Sequence, residues 1–259
     1  MRGIILALFL LACAAAARAA PVVFEDTIAQ RTLACTACHG RQGRAGPDGY
    51  YPRIAGKPAG YLYNQLLNFR DGRRHYGLMA GLLDTLTDAY LYEIAQHFAG
   101  LDLPYPPPQP AAAAPETLQR GRDIALQGDA ERRVPACARC HGKALTGVQP
   151  AIPGLLGLPR DYLNAQLGAW RNGQRRALAP DCMAEIARRL SPEDLSAVTS
   201  FLAAQPLPKD PHPAAAPGSE PPVKKKGRGR GRKAAPPPAP EPPPMRCGSA
   251  ESPVPGSRK

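Results

Sequence analysis

Four cysteines and two histidines stand in one arrangement that occurs twice, Cys35-Thr36-Ala37-Cys38-His39 and Cys137-Ala138-Arg139-Cys140-His141. Two thiols one helical turn apart, followed at once by an imidazole, form the donor set for a c-type haem. The thiols attach to the two porphyrin vinyl groups as thioethers, and the imidazole lies beneath the iron as its proximal ligand. A thioredoxin-like dithiol has no use for that His, and a zinc site needs more ligands at matching spacing. Two covalently bound haem c groups are therefore expected, held by Cys35 and Cys38 and by Cys137 and Cys140, with His39 and His141 on the irons.

An iron with a proximal His alone is open to oxygen or peroxide; a second strong ligand closes it. After His39 the candidates are Met79, His75 and His97. After His141 they are Met183 and Cys182, because the next His is His212. Of the four Met, Met1 initiates and Met245 lies far downstream, which leaves Met79 and Met183, 40 and 42 residues after their His. They align at an offset of 104 and are expected to be the distal ligands. A thioether favours ferrous iron and raises the potential, which suits electron transfer and not catalysis. Cys182 has two readings, a small buried residue or a thiolate that replaces Met183. His75 reads as a loop residue, His97 as a surface or packing residue. The proximal His also needs a carbonyl to orient its ring. Pro52 and Pro153, 13 and 12 residues after the His, are placed to supply one, or else only shape a turn.

The surrounding elements repeat as well. Pro52 to Arg73 aligns with Pro153 to Gln174 at an offset of 101, with nine identities, among them Tyr61/Tyr162, Gln65/Gln166 and Arg70/Arg171. In each copy a helix is predicted with Leu62, Leu66 and Phe69, or Leu163, Leu167 and Trp170, at i, i+4, i+7. A last helix follows in each. Thr87 caps the first, whose apolar face is Leu91, Ile94, Ala95 and Phe98. Ser191-Pro192-Glu193-Asp194 starts the second, with face Leu195, Val198 and Leu202. The class is all-α, as two small helical bundles each built around a haem. Expected boundaries are 1–20 for an export signal, 21–102 and 116–205 for the copies, 103–115 for a semi-extended Pro/Ala-rich linker, and 206–259 for a disordered tail.

Charge supports that division. The net charge is +12 over 259 residues, but the stretch from Pro206 holds 11 Lys/Arg against 4 Asp/Glu, and the two copies together are nearly neutral. A nucleic-acid-binding core is excluded on that distribution. Arg2, an apolar run from Ile4 to Ala17, and Ala17-Arg18-Ala19 form an export signal, with lipoprotein-type cleavage before Cys13 as the alternative. The run is too short for a membrane span of ~20 residues. Export places the chain in a bacterial periplasm. The tail carries Lys224 to Lys233 and a Pro-rich run; it reads as solvated, or as a tether to anionic lipid or an acidic partner. Its removal after Gln205 is expected to leave the haem sites intact, and Cys247 is expected to be a free, exposed thiol.

The combination of C-x-x-C-H-G, then Ile54-Ala55-Gly56-Lys57 with Tyr61-Leu62-Tyr63-Asn64-Gln65-Leu66, Phe69-Arg70-Asp71-Gly72 and a later Met resembles the cytochrome c4 family, from about Phe24 to Gln205. That resemblance implies a dihaem c-type cytochrome of two class I cytochrome c domains related by a pseudo-twofold axis. It implies ligation by His39, Met79, His141 and Met183, with electrons passing from a bc1 complex or a dehydrogenase to a terminal oxidase. Rival readings are an electron-accepting subunit of a dehydrogenase and a dihaem peroxidase; the equivalent Met79 and Met183 speak against the latter. The linker is longer and richer in Pro than the family's, and the tail is not a family feature.

Overall fold

The computed structural model describes residues 25–46, 48–216 and 245–250. The expected export signal, Cys13 and the Lys224–Lys233 block lie outside the described residues. The first half runs through α1 (Ile28–Arg31), α2 (Leu33–His39), α3 (Ala59–Arg70), α4 (Gly77–Leu83) and α5 (Asp88–Ala99). The second repeats the plan with α6 (Pro115–Leu126), α7 (Cys137–His141), α8 (Arg160–Arg171), α9 (Cys182–Arg189) and α10 (Pro192–Ala204). Two antiparallel two-residue pairs, β1 (Gly128–Asp129) with β2 (Val134–Pro135) and β3 (Gly147–Val148) with β4 (Ile152–Pro153), only close turns. The fold is mostly helical, as predicted.

The helix starts obey their local chemistry. Thr87 accepts from the Tyr90 amide at the head of α5, and Ser191 accepts from the Asp194 amide at the head of α10, where Pro192 gives up no needed donor. α3 packs across α5, and the first core gathers Leu62, Leu67, Phe69, Leu91, Ile94 and Phe98. Phe98 is 1% exposed, so its truncation to Ala removes about 3–5 kcal/mol. All four residues predicted for the α5 face are buried. On α10 the prediction is corrected at Leu195, which is only half-buried. The buried face is Ala197, Val198, Phe201 and Leu202, because α10 turns its inner side toward α6.

The link between halves is extended but held. The Arg53 guanidinium donates to the carbonyls of Leu103 and Pro104 (2.5 and 2.9 Å) and stacks 3.9 Å over the Tyr105 ring. The Gln109 amide donates to Ala203 O, and its side chain accepts from the Arg160 amide. Pro115, expected to close the linker, is the first residue of α6. The tail is corrected more strongly. Residues 206–216 return along the second half, where Ala214 bridges Val148 and exchanges hydrogen bonds with Gly147 and Gln149. Residues 245–250 are fixed by a disulfide between Cys247 and Cys182, so Cys247 is no free thiol.

Candidate haem sites

In each half a short helix carries the two thiols and ends on its His. The next residue must reverse the chain. Gly40 has φ 73° and Gly142 φ 83°, and a Cβ on Gly40 would lie 2.2 Å from Ala45 O. Only glycine meets both demands. The turn brings the following loop back over the His. Cys35, Cys38, Cys137 and Cys140 are all free thiols, and burial raises the pKa of three of them, Cys137 to about 11. Among the described residues no cluster of three or more His, Cys, Asp or Glu could hold a bare metal ion.

His39 and His141 are each 8% exposed. The Nδ1 of His39 donates to Pro52 O at 2.8 Å, and that of His141 to Pro153 O at 2.7 Å. Engaging Nδ1–H leaves the lone pair on Nε2, the atom available to iron. Burial lowers the pKa of both rings, the carbonyl bond partly opposes it, and Arg74 beside His39 and Lys57 beside His141 lower them further. Both imidazoles are neutral at pH 7, the form that binds metal.

Met79 and Met183 lie near the starts of equivalent helices, α4 and α9, both half-buried, and Met79 also touches the first core. Of the other candidates, His75 is exposed, His97 stands edge-on to Phe98 at 5.1 Å, and His212 pairs with Asp210 on the surface. Cys182 is buried and disulfide-bonded. In that state it has no thiolate to give an iron, which removes the reading that it replaces Met183.

A feature that the sequence reading missed lies where the halves meet. Arg74 and Arg175 form an antiparallel bridge, and each guanidinium donates to both Gln65 and Gln166 at 2.6–3.0 Å. Arg74 lies 4.4 Å over Phe69, and Arg175 3.8 Å over Trp170. Arg175 is 4% exposed; burial, then repulsion from Arg74, lowers its pKa. Among the described residues neither Arg has a carboxylate partner, though a buried charge is costly unless paired. The signal was available: Arg74/Arg175 is one more identity at the offset of 101, just past the end of the aligned stretch. Among the described residues the buried Trp170 Nε1–H also finds no acceptor. A haem brings carboxylates. Four free thiols, two neutral imidazoles with Nε2 unengaged, the buried Arg175 beside the half-buried Arg74, and a buried indole donor form a donor set that fits the group.

Comparisons with known proteins agree with this geometry. No family model matches the sequence. A "Thiosulfate dehydrogenase electron acceptor" of Thiomonas intermedia (strain K12) is 40% identical over 176 residues, 67% of this chain and 79% of that protein. A cytochrome c4 of Pseudomonas aeruginosa is 34% identical over 174 residues, 66% of this chain and 84% of its own length. Among solved structures, reduced cytochrome c4 from Pseudomonas stutzeri superposes with a TM-score of 0.60 at 28% identity, over 68% of this chain and 96% of that one. Thiosulfate dehydrogenase (TsdBA) from Marichromatium purpuratum gives a TM-score of 0.60 at 32% identity, over 67% of this chain but only 36% of that longer one. The chain belongs to the cytochrome c4 family of dihaem c-type cytochromes and is an electron carrier with the class I cytochrome c fold.

Proposed function

We propose that this protein holds one haem c in each half and passes single electrons in the periplasm from a dehydrogenase toward a terminal oxidase. The halves would correspond to domains of about 21–102 and 116–205, the second with Pro115 at the head of α6 and residues 206–216 against it. Cys35 and Cys38, and Cys137 and Cys140, would hold the porphyrins. His39 and His141 would ligate through Nε2, with Met79 and Met183 on the distal side. Haem supplies a one-electron ferric/ferrous couple when bound. The chain's part is to hold that couple at a set potential and exclude other ligands. Pro52 and Pro153 carbonyls fix the imidazole planes, and Arg74 and Arg175 would hold anionic haem edges where the halves meet. The observation that carries this reading is the pair of buried, neutral His rings, each oriented by a Pro carbonyl behind a C-x-x-C turn.

The likeness to a thiosulfate dehydrogenase electron acceptor favours an enzyme that oxidises thiosulfate as the donor, over a bc1 complex. Mixing the purified holoprotein with a thiosulfate dehydrogenase and thiosulfate tests this, with the ferrous α-band as readout. Growth of that band at a rate saturating in cytochrome supports the assignment. Reduction by quinol-charged bc1 complex but none by the dehydrogenase would overturn it. Among the described residues no helix is long and apolar enough to cross a membrane. A membrane contact made through the basic tail is expected to weaken with salt.

A further inference from the structure

Met183 directly follows Cys182, and Cys182 is tied to a residue 65 positions away. The tie brings residues 245–250 across the front of α9. The Gly248 amide donates to Pro180 O at 3.1 Å, and a Cβ on Gly248 would lie 2.3 Å from Ala179 O. The segment is thus in backbone contact with the residues that lead into the Asp181 cap. Asp181 in turn accepts from the amides of Ala177 and Ala184, closing the Met183 loop on itself. On its other side the segment reaches the first half, where Asn64 of α3, 2% exposed, donates from Nδ2 to Ser249 O at 3.1 Å.

None of this is repeated in the first half. The position equivalent to Cys182 is Leu78, which is 68% exposed, and the one equivalent to Asn64 is Ala165. The two sites share the C-x-x-C-H helix, the Pro carbonyl behind the His and the helix that carries the Met, and this asymmetry falls on the loop that carries one distal-ligand candidate.

We propose that residues 245–250, locked by the Cys182–Cys247 disulfide, are a strap that positions Met183 for the second haem iron and ties its loop to the first half. The proposal rests on the reading of Met183 as the distal ligand. The strap acts by population: a loop held closed presents a vacant iron less often, and an external ligand then binds more weakly in proportion. Cys182 and Cys247 are positioning residues here; neither touches iron.

The test is imidazole binding to the ferric full-length holoprotein, followed by loss of the near-infrared sulfur-to-iron band. In the Met79→Ala background that band reports the second site alone, and in the Met183→Ala background the first. Removing both thiols together, Cys182→Ala with Cys247→Ala, avoids leaving a free thiol beside the iron. The expected result is about tenfold tighter imidazole binding at the second site and none at the first. Opening the disulfide of the otherwise wild-type protein with a phosphine should do the same, and reoxidation should reverse it, which covers a variant that fails to fold. Unchanged imidazole affinity at the second site after the thiols are removed overturns the strap. Failure of the ligand reading looks different: Met183→Ala would then leave the full band intensity of the wild type in place.

Discussion

At each proposed haem site the deciding detail is a single hydrogen bond from a His ring to a Pro carbonyl. It chooses the tautomer, and burial keeps the ring uncharged. Close by, Lys57 breaks the symmetry of the repeat. It is 5% exposed, faces Gly154 O at 3.5 Å, and corresponds to Leu158 in the second copy. Burial, then repulsion from Arg53, pulls its ammonium pKa from 10.5 to about 8. Between those two values the unfolded chain binds more protons than the folded one, so stability rises with pH across that window. Below pH 8 the buried charge costs about 3 kcal/mol. Lys57→Met is predicted to raise stability at pH 7 by up to that amount and to flatten the rise between pH 8 and 10.5. Denaturant unfolding of the holoprotein across this range checks it; an unchanged midpoint at pH 7 would count against the burial account. The two His–Pro bonds were legible because the spacing of the His and the Pro repeats in both copies. Lys57 was not, because its burial is created by the other half folding over it.

Among the elements, α10 shows how local signals and long-range pairing divide the work. Ser191-Pro192 announced its start, but Asp194 was read there only as part of that start. In the structure it is 5% exposed and takes the Arg120 Nε at 2.8 Å and an Arg132 guanidinium nitrogen. Burial pushes its carboxyl pKa up, but the two Arg more than reverse this and hold it below the usual value of 3.8. Its contribution is therefore complete above pH 3.8 and is lost as the pH falls through the lowered value. Asp194→Asn is predicted to cost about 1–3 kcal/mol at pH 7, the lower figures reflecting solvent around both Arg. The difference from wild type should shrink in acid. Matched urea titrations at pH 7 and pH 3 measure this, and an equal loss at both would contradict it. The strap before α9 was illegible for a different reason. A Pro-rich, charged tail has no periodicity to announce a packed end, and a disulfide of this span leaves no spacing rule. Truncation after Gln205, expected from sequence to be harmless, removes Cys247. It is now predicted to loosen the Met183 loop, seen as a weaker near-infrared band in the second site alone.

For the whole molecule the question is how two near-copies become one unit. The repeat showed that a fold is written twice, and its all-helical plan follows from the i, i+4, i+7 rows. It could not show that Arg74 and Arg175 meet across the joint, since that contact exists only once the copies face each other. Cations beside a haem disfavour the ferric state and raise the potential. Arg175→Gln is predicted to lower the midpoint potentials by about 60 mV or less, the equivalent of a tenfold shift in a one-electron equilibrium. Spectroelectrochemistry reads this directly; unchanged or raised potentials would contradict a guanidinium beside a haem.

A dihaem carrier of this kind requires two filled iron coordination spheres and no open one. Low-temperature electron paramagnetic resonance on the fully oxidised, full-length protein puts that to the test. Two low-spin ferric signals in equal amount, each lost separately in Met79→Ala and Met183→Ala, are the predicted result. A high-spin ferric signal in the unmodified protein would mean a site ready to bind and transform a small molecule, and the carrier reading would have to be abandoned.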